Sequence, residues 1–362
     1  MKKRMLGTAA GLLAAVLLFS CPVSALSAGS YILMDGVTGR VLESKDPDRR
    51  SLIASTTKIM TALLVCEQCN VLDRFRIPKE ATGIEGSSLY LQEGEVLTVQ
   101  ELLYGLMLHS GNDAARALAI CCGGTVEGFV ELMNDRARSL GLTGTHFSNP
   151  CGLDHPDHYS TARDLAVLTA CAMENPIFAK TVSTKTVRIT GRTLTNHNKL
   201  LWRVEGADGV KTGYTKTAGR ILVSSASRQG RRLIAVTIDD PDDWKDHADL
   251  LGRGFERFHL RNVITSGSQL GVRTVISGEK QQVPLLAAAD FSCALAEGER
   301  VTVELPGSFY VYAPIQAGEQ AGFAWVMADG KPLGRLPLCY GDSAAQTKEK
   351  TIWEKFLGGI QL

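Results

Sequence analysis

Strand-patterned sequence stands on either side of a helical middle, and that arrangement leaves few folds open. YILMDGVTGRVL, residues 31–42, has two apolar runs around a Gly-rich turn at Asp35 to Gly39 and reads as a hairpin. RILVSSASRQGRRLIAVTID, residues 220–239, repeats that pattern around Gln229-Gly230. Between them apolar residues recur at helical spacing. A strongly apolar helical run begins at Ser55, and Thr98 with Glu101 three residues later is a capping box opening another. Ser110-Gly111-Asn112 interrupts the spacing and predicts a loop between two helices. Ser160 or Thr161 caps a further helix, and a last one runs from about Asp243 to Phe258. Helices enclosed by strands from distant parts of one chain predict an α/β layered domain.

The remaining sequence divides around this unit. Met1-Lys2-Lys3-Arg4, the apolar run Leu12 to Phe19 and the small residues Val23-Ser24-Ala25 read as a signal peptide, residues 1–25, cleaved near Ala25. A lipid-attachment reading of Leu18-Phe19-Ser20-Cys21 is the rival, and Phe19 fits it badly. Loss of Lys2, Lys3 and Arg4 takes the formal charge from +1 to −2. With no basic stripe either, nucleic acid is a poor partner. The expected α/β domain spans 26–260. Beyond Ile264, short strands such as RVTVEL and frequent glycines predict a small all-β domain over 264–341. In the tail, 342–362, Trp353, Phe356, Leu357 and Ile360 share one helical face near Lys348, Lys350 and Lys355. That face suits a membrane surface, or docking on the protein itself. Cys66 and Cys69 form a CxxC inside a helical run, where i, i+3 spacing strains a bridge, and Cys121-Cys122 has no regular spacing to them. All four are expected to be small buried hydrophobes.

Chemistry enters with Ser55-Thr56-Thr57-Lys58. Residues i and i+3 share a helix face, so the amine of Lys58 is placed to take a proton from the Ser55 hydroxyl. The tetrapeptide alone is weak: Ser277-Gly278-Glu279-Lys280 repeats it in a turn of the β region, with no helix to hold it. Ser55 has company. Ser110-Gly111-Asn112 and Lys211-Thr212-Gly213 follow in the order SxxK, SxN, KTG. That triplet marks penicillin-binding proteins and class A β-lactamases.

The chain resembles the low-molecular-mass penicillin-binding proteins, the serine D-alanyl-D-alanine carboxypeptidases of the S11 peptidase family. The resemblance extends through ASTTKIMTALL, LHSGNDAARALA, HFSNPCGLDHPDHYSTARDLAVL, NHNKLLW, DGVKTGYTKTAG and YAPIQAGEQAG. It implies a β-lactamase/transpeptidase-like catalytic domain, an antiparallel sheet with helices, followed by the all-β domain. It also implies an exported protein whose substrate is a peptidoglycan stem peptide ending in D-Ala-D-Ala, with β-lactams as inhibitors and neither cofactor nor metal. Ser55 would be the nucleophile, Lys58 its base, Ser110 the relay to the departing D-alanine, and Asn112 the holder of Lys58 and of the substrate amide. Lys211 would supply positive charge and Thr212 contact the substrate carboxylate. The backbone N–H groups of Ser55 and Tyr214 would form the oxyanion hole, with Gly213 in the same substrate-binding stretch.

Two departures from the family pattern concern the carboxylate. Asp246 and His247 stand where some relatives place an arginine, and His197 does so in NHNKLLW; Arg203 and Arg220 are candidate substitutes. Asp154, His155, Asp157 and His158 are read as a polar loop rather than a metal cluster, and His109 as structural. A β-lactamase is the nearest alternative activity, yet Glu127, Glu131, Glu174 and Glu205 lie in no recognisable motif for its water-activating glutamate. A non-catalytic wall-binding protein is the other, against which three intact motifs argue.

Overall fold

The computed structural model describes residues 26–305, 307 and 310–347. The signal-peptide reading and most of the tail, including Trp353, Phe356, Leu357 and Ile360, fall outside the described residues.

Strands β1 (Ser30–Asp35) and β2 (Val41–Lys45) form the expected hairpin. Asp35 Oδ1 accepts from the N–H groups of Val37 and Thr38 and closes the turn. A 3₁₀ turn, Ala54–Thr57, leads into α1 (Lys58–Gln68). The helix therefore begins at Lys58, three residues later than the apolar run suggested. Ala54, at φ +45°, breaks the helical path just ahead of Ser55. α1 is buried from Lys58 through Cys66, as its all-round apolar sequence requires. A two-stranded ribbon, β3 (Arg74–Arg76) with β4 (Val96–Thr98), precedes α2 (Val99–Leu108), which the Thr98–Glu101 capping box opens. α3 (Asn112–Gly123) and α4 (Val126–Ser139) follow. α5 (Ala162–Glu174) is capped by Thr161, and α6 (Pro176–Ser183) by Asn175. A second ribbon, β5 (Thr186–Ile189) with β6 (Arg192–Thr195), and the single turn α7 (Leu200–Arg203) lead back to the main sheet.

That sheet is completed by β7 (Ala207–Thr215), β8 (Gly219–Arg228) and β9 (Arg231–Ile238), in the order β2-β1-β9-β8-β7. Every neighbouring pair is antiparallel. Gln229 and Gly230, both at positive φ (+50° and +77°), make the two-residue turn that matches strand twist. Side chains alternate between two cores. Ile32, Met34, Ile221, Val223, Ile234 and Val236 face the helical layer built around α1. Leu33, Ala226, Leu233 and Ala235 meet Leu250 and Leu251 of α8 (Asp243–Arg257) on the other side. The result is helix, sheet, helix, with β7 at the sheet edge beside the Ser55 turn.

α8 runs directly into β10 (Phe258–Ile264), which pairs with β13 (Phe291–Ala296). A six-stranded sheet combines β11 (Gln269–Ile276), β12 (Gln282–Ala287), β14 (Val301–Glu304), β15 (Tyr310–Tyr312), β16 (Gln320–Ala328) and β17 (Lys331–Tyr340) in the order β14-β16-β17-β12-β11-β15. This all-β part has its own cores, around Val326 and Leu336 and around Leu285 and Leu338. The second SxxK lies here. Lys280 is paired with Asp342 at 2.9 Å and takes no part in the cleft.

Candidate active site

Ser55 is presented by a turn fastened on three sides. Thr56 Oγ1 donates to Ile53 O at 2.6 Å and Thr57 Oγ1 to Ala54 O at 2.8 Å, so both hydroxyls close back on the carbonyls three residues earlier. Below, His158 accepts at Nδ1 from Ser148 N–H, which leaves Nε2–H to donate to Thr57 Oγ1 at 2.7 Å. Burial pushes the His158 imidazole down to about 4, so this neutral tautomer holds at neutral pH. Above, Gly152 (φ +87°) lies so close to Ala54 that a Cβ there would stand 1.8 Å from Ala54 O. On the third side β7 passes at Gly213, where an added Cβ would lie 3.3 Å from Ser55 N. The KTG glycine thus brings strand and nucleophile turn into backbone contact.

Lys58 is wholly buried and its three ammonium protons have three acceptors: Ser55 Oγ at 3.0 Å, Asn112 Oδ1 at 2.7 Å and Cys151 O at 2.6 Å. Burial lowers its pKa to about 8, partly offset by Cys151 and Asp113. Lys211 is equally buried, and its Nζ donates to Thr212 O at 2.9 Å. Desolvation, then repulsion from Lys58, holds it well below the usual lysine range. Two adjacent ammonium groups without a carboxylate partner are costly to bury, and each favours the other's free amine.

The SxN element is aimed by its own loop. Ser110 is held at φ +65°, a strained conformation for serine, between the end of α2 and the start of α3. Asn112 Nδ2 donates to Glu85 O at 2.6 Å and its N–H to Ser87 O at 2.7 Å. Asp113, fully buried, accepts from Leu89 N, Leu91 N and Ser88 Oγ. Those bonds fold the 85–91 segment over the cleft and bring Ser87 to its wall.

A cleft of about 390 Å³ opens on this array, lined by Ser55, Ser110, Thr212, Gly213 and Tyr214 from the motifs, and by Ser87, His197, Lys199, Arg220, Asp243 and Trp244. Lys58, Asn112 and Lys211 sit beneath it. Arg220 reaches the wall braced by Asp243, with Nη2 to Oδ1 at 2.8 Å and Nε to Oδ2 at 3.1 Å. Burial, then Lys211 and His109, lowers the His197 pKa, so that ring is uncharged at neutral pH.

Some candidates stand elsewhere. Asp246 accepts from Ser27 N and Oγ, and His247 is buried between Ser224 Oγ (2.6 Å) and Thr237 Oγ1 (2.9 Å). Neither lines the cleft, and Arg203 does not either. Asp154 accepts from Thr215 Oγ1, Asp157 N–H donates to His155 Nδ1 at 3.1 Å, and His158 lies under the Ser55 turn. Glu127, Glu131, Glu174 and Glu205 are all exposed and outside the cleft lining. His109 packs against His197 at 5.3 Å. Sequence reasoning missed Ser87, Lys199, Asp243, Trp244 and the Cys151 carbonyl. SNPCGLD carried a signal for the last: Asn149 Oδ1 accepts from the N–H groups of Cys151, Gly152 and Leu153, an Asn-led turn visible as Asn-Pro-Cys-Gly.

The chain is also similar to known proteins over most of its length. Residues 19–242 match the family model described as D-alanyl-D-alanine carboxypeptidase, and 258–345 that of the penicillin-binding protein 5 C-terminal domain. The D-alanyl-D-alanine carboxypeptidase DacF of Bacillus subtilis is 31% identical, covering 91% of this chain and 89% of that protein. DacD of Escherichia coli is 33% identical with the same coverage. Among solved structures, penicillin binding protein 5 from Haemophilus influenzae has a TM-score of 0.77 at 31% identity, covering 89% of this chain and 98% of its own.

Proposed function

This chain belongs to the D-alanyl-D-alanine carboxypeptidase family and is a serine-type D-Ala-D-Ala carboxypeptidase; from that premise we propose how its residues divide the work. Ser55 Oγ attacks the carbonyl of the penultimate D-alanine of a peptidoglycan stem peptide. Lys58 takes the hydroxyl proton. With a pKa of about 8, roughly one molecule in ten carries the free amine at pH 7. The developing oxyanion is received by the N–H groups of Ser55 and Tyr214, a pair of donors each worth about 2.7–4 kcal/mol in such sites. Ser110 passes a proton to the departing D-alanine amine; when Lys58 is the free amine its repulsion on Lys211 is gone, and Lys211 then supplies positive charge beside both hydroxyls. Asn112 holds Lys58 and the substrate amide. Water then hydrolyses the acyl-enzyme. A β-lactam, shaped like the D-Ala-D-Ala end, stops at the acyl stage.

Thr212 and Arg220 are our assignment for the terminal carboxylate. Arg220 is the guanidinium in the cleft wall, and its Asp243 brace keeps the planar fork fixed for bidentate binding. Residues 26–260 are taken as the catalytic unit and 264–341 as the appended β unit. Among the described residues no helix is long and apolar enough to cross a membrane. We place the enzyme outside the cytoplasm, reached through the 1–25 segment, with the tail as a peripheral membrane contact.

The observation that carries the reading is the buried Lys58 amine 3.0 Å from Ser55 Oγ at the floor of the cleft. The test is D-alanine release from a D-Ala-D-Ala peptide, together with covalent labelling by a fluorescent penicillin. Wild type should release D-alanine and hold the label; Ser55→Ala should do neither. Equal release by both proteins overturns the assignment, and rapid loss of the label points to a β-lactamase instead.

A further inference from the structure

The four helical cysteines do not all behave as inert core. α1 and α3 both begin at the active site, where Lys58 Nζ meets Asn112 Oδ1 at 2.7 Å, and they run side by side away from it. At about 1.5 Å per residue their far ends lie roughly 14–16 Å from the cleft. There Cys69, the residue that ends α1, meets Cys121 and Cys122 in the last turn of α3. The Cys69 thiol faces both closely enough that the three perturb one another's ionisation. Cys122 Sγ also lies 3.5 Å from Gln68 Oε1. All three cysteines are only half-buried, so a small molecule in solvent can reach them, while Cys66 is buried.

We propose that Cys69 and Cys122 are a thiol–disulfide exchange site that takes a small-molecule disulfide and closes into a covalent staple between α1 and α3. Cys122 is the attacking thiol. It is the thiol of α3 that reaches the end of α1, beside Gln68, and the Cys69 thiol holds its pKa below the ordinary thiol value against burial. Cys121 is the reverse: Cys69, then burial, pushes its pKa up. Cys69 stands between them. Cys121 pulls it down, Cys122 and burial push it up, and it ends at about 11. The Cys122 thiolate attacks one sulfur of the oxidant RSSR, forming Cys122–S–S–R and expelling RS⁻. Cys69 then attacks Cys122 Sγ, expelling the second RS⁻. Two protein thiols are oxidised, one RSSR is reduced, and the two protons end on the two RSH. Cys121 and Cys122 cannot serve as the pair, since adjacent residues on a helix point in different directions. Cys66 faces the core, one turn back. The bond would tie together the helices whose other ends carry Lys58 and Asn112, so the two motifs would be joined at both ends of the helix pair.

The experiment uses the purified full chain, reduced and then exposed to glutathione disulfide. Peptide mapping without reduction should yield a linked peptide joining residues 69 and 122, with Cys66 and Cys121 alkylatable. The oxidised protein should melt several degrees higher, because the bond closes a loop of more than fifty residues. Cys69→Ser should stop at a glutathione adduct on Cys122. Cys121→Ser should oxidise like the wild type. Full alkylation of Cys122 in the oxidant-treated wild type overturns the proposal, as does a linked peptide through Cys121 or Cys66. The wild-type map needs no variant, so a poorly folding mutant does not blunt the test.

Discussion

Gly152→Ala is a one-methyl perturbation aimed at the turn that carries the nucleophile. The glycine is at φ +87°, where an alanine costs about 1–2 kcal/mol. More important is the space. The new Cβ would stand 1.8 Å from Ala54 O and 2.9 Å from Thr57 Oγ1. Carbon–oxygen contacts settle near 3.3 Å or more, so the two segments must separate by over about 1 Å. Ala54 directly precedes Ser55, and the Lys58 acceptor Cys151 directly precedes Gly152. The displacement therefore falls on both partners of the proton transfer. A misplacement of about 1 Å in a reacting array costs on the order of 10²-fold in rate. We expect acylation by a fluorescent penicillin, followed as a second-order rate, to drop about 10²-fold in Gly152→Ala, with some loss of melting temperature. Gly141→Ala separates strain from collision: its φ is +71° but nothing lies within 4 Å of the added methyl. It should lose about 1–2 kcal/mol, a fall of roughly 2–8 °C, and acylate normally. Wild-type acylation by Gly152→Ala refutes the reasoning, and so does an equal loss in Gly141→Ala.

The other residues of the site have their own expected outcomes. The Lys58 pKa is lowered to about 8, so its free amine accumulates as pH rises through that value, and the acylation rate should climb between pH 7 and 9; a midpoint above 10 contradicts the base assignment. Arg220→Gln should lower kcat/KM for a carboxylate-terminated D-Ala-D-Ala peptide by about 10–100-fold, the worth of a charge-assisted hydrogen bond, and hardly change the poor reaction of its amidated counterpart; equal losses on both would remove Arg220 from carboxylate binding. Leu89 N–H donates to Asp113 Oδ1 and Leu91 N–H to Oδ2, so Asp113→Asn turns one of these acceptors into a donor facing a donor and should cost about 1–3 kcal/mol, or roughly 2–10 °C in melting temperature; an unchanged melt counts against that clamp.

Local rules carried the reading as far as local forces decide. The Thr98–Glu101 capping box, the Gln229-Gly230 turn and the break at Ser110 to Asn112 are set by neighbours in sequence, and each is found where its residues put it. The Ser55–Lys58 spacing was legible for the same reason, although it is realised across a 3₁₀ turn rather than inside the helix. Long-range packing was not legible. Lys58 takes a carbonyl from Cys151, 93 residues away, and Cys69 meets Cys121 and Cys122 only because α1 lies against α3. One long-range placement was legible from local spacing. Asp243, Asp246, His247, Leu250, Leu251 and Gly254 recur at three- and four-residue steps, and all are buried on one stripe of α8. That periodicity already placed His247 inside the protein, away from any substrate.

The first strand of the chain does not pair with the strands made soon after it, apart from its hairpin partner. β1 lies between β2 and β9, with Ser30 opposite Ile238. Export with the N-terminus leading delivers the serine and its lysine early, beside two strands that lack the other three. The edge strand β7 bearing Lys211, and β8 and β9 behind it, arrive after most of the helical layer has emerged. Antibiotic reactivity should therefore be the last property the molecule acquires, and acylation by a penicillin can report that folding of the catalytic unit has finished.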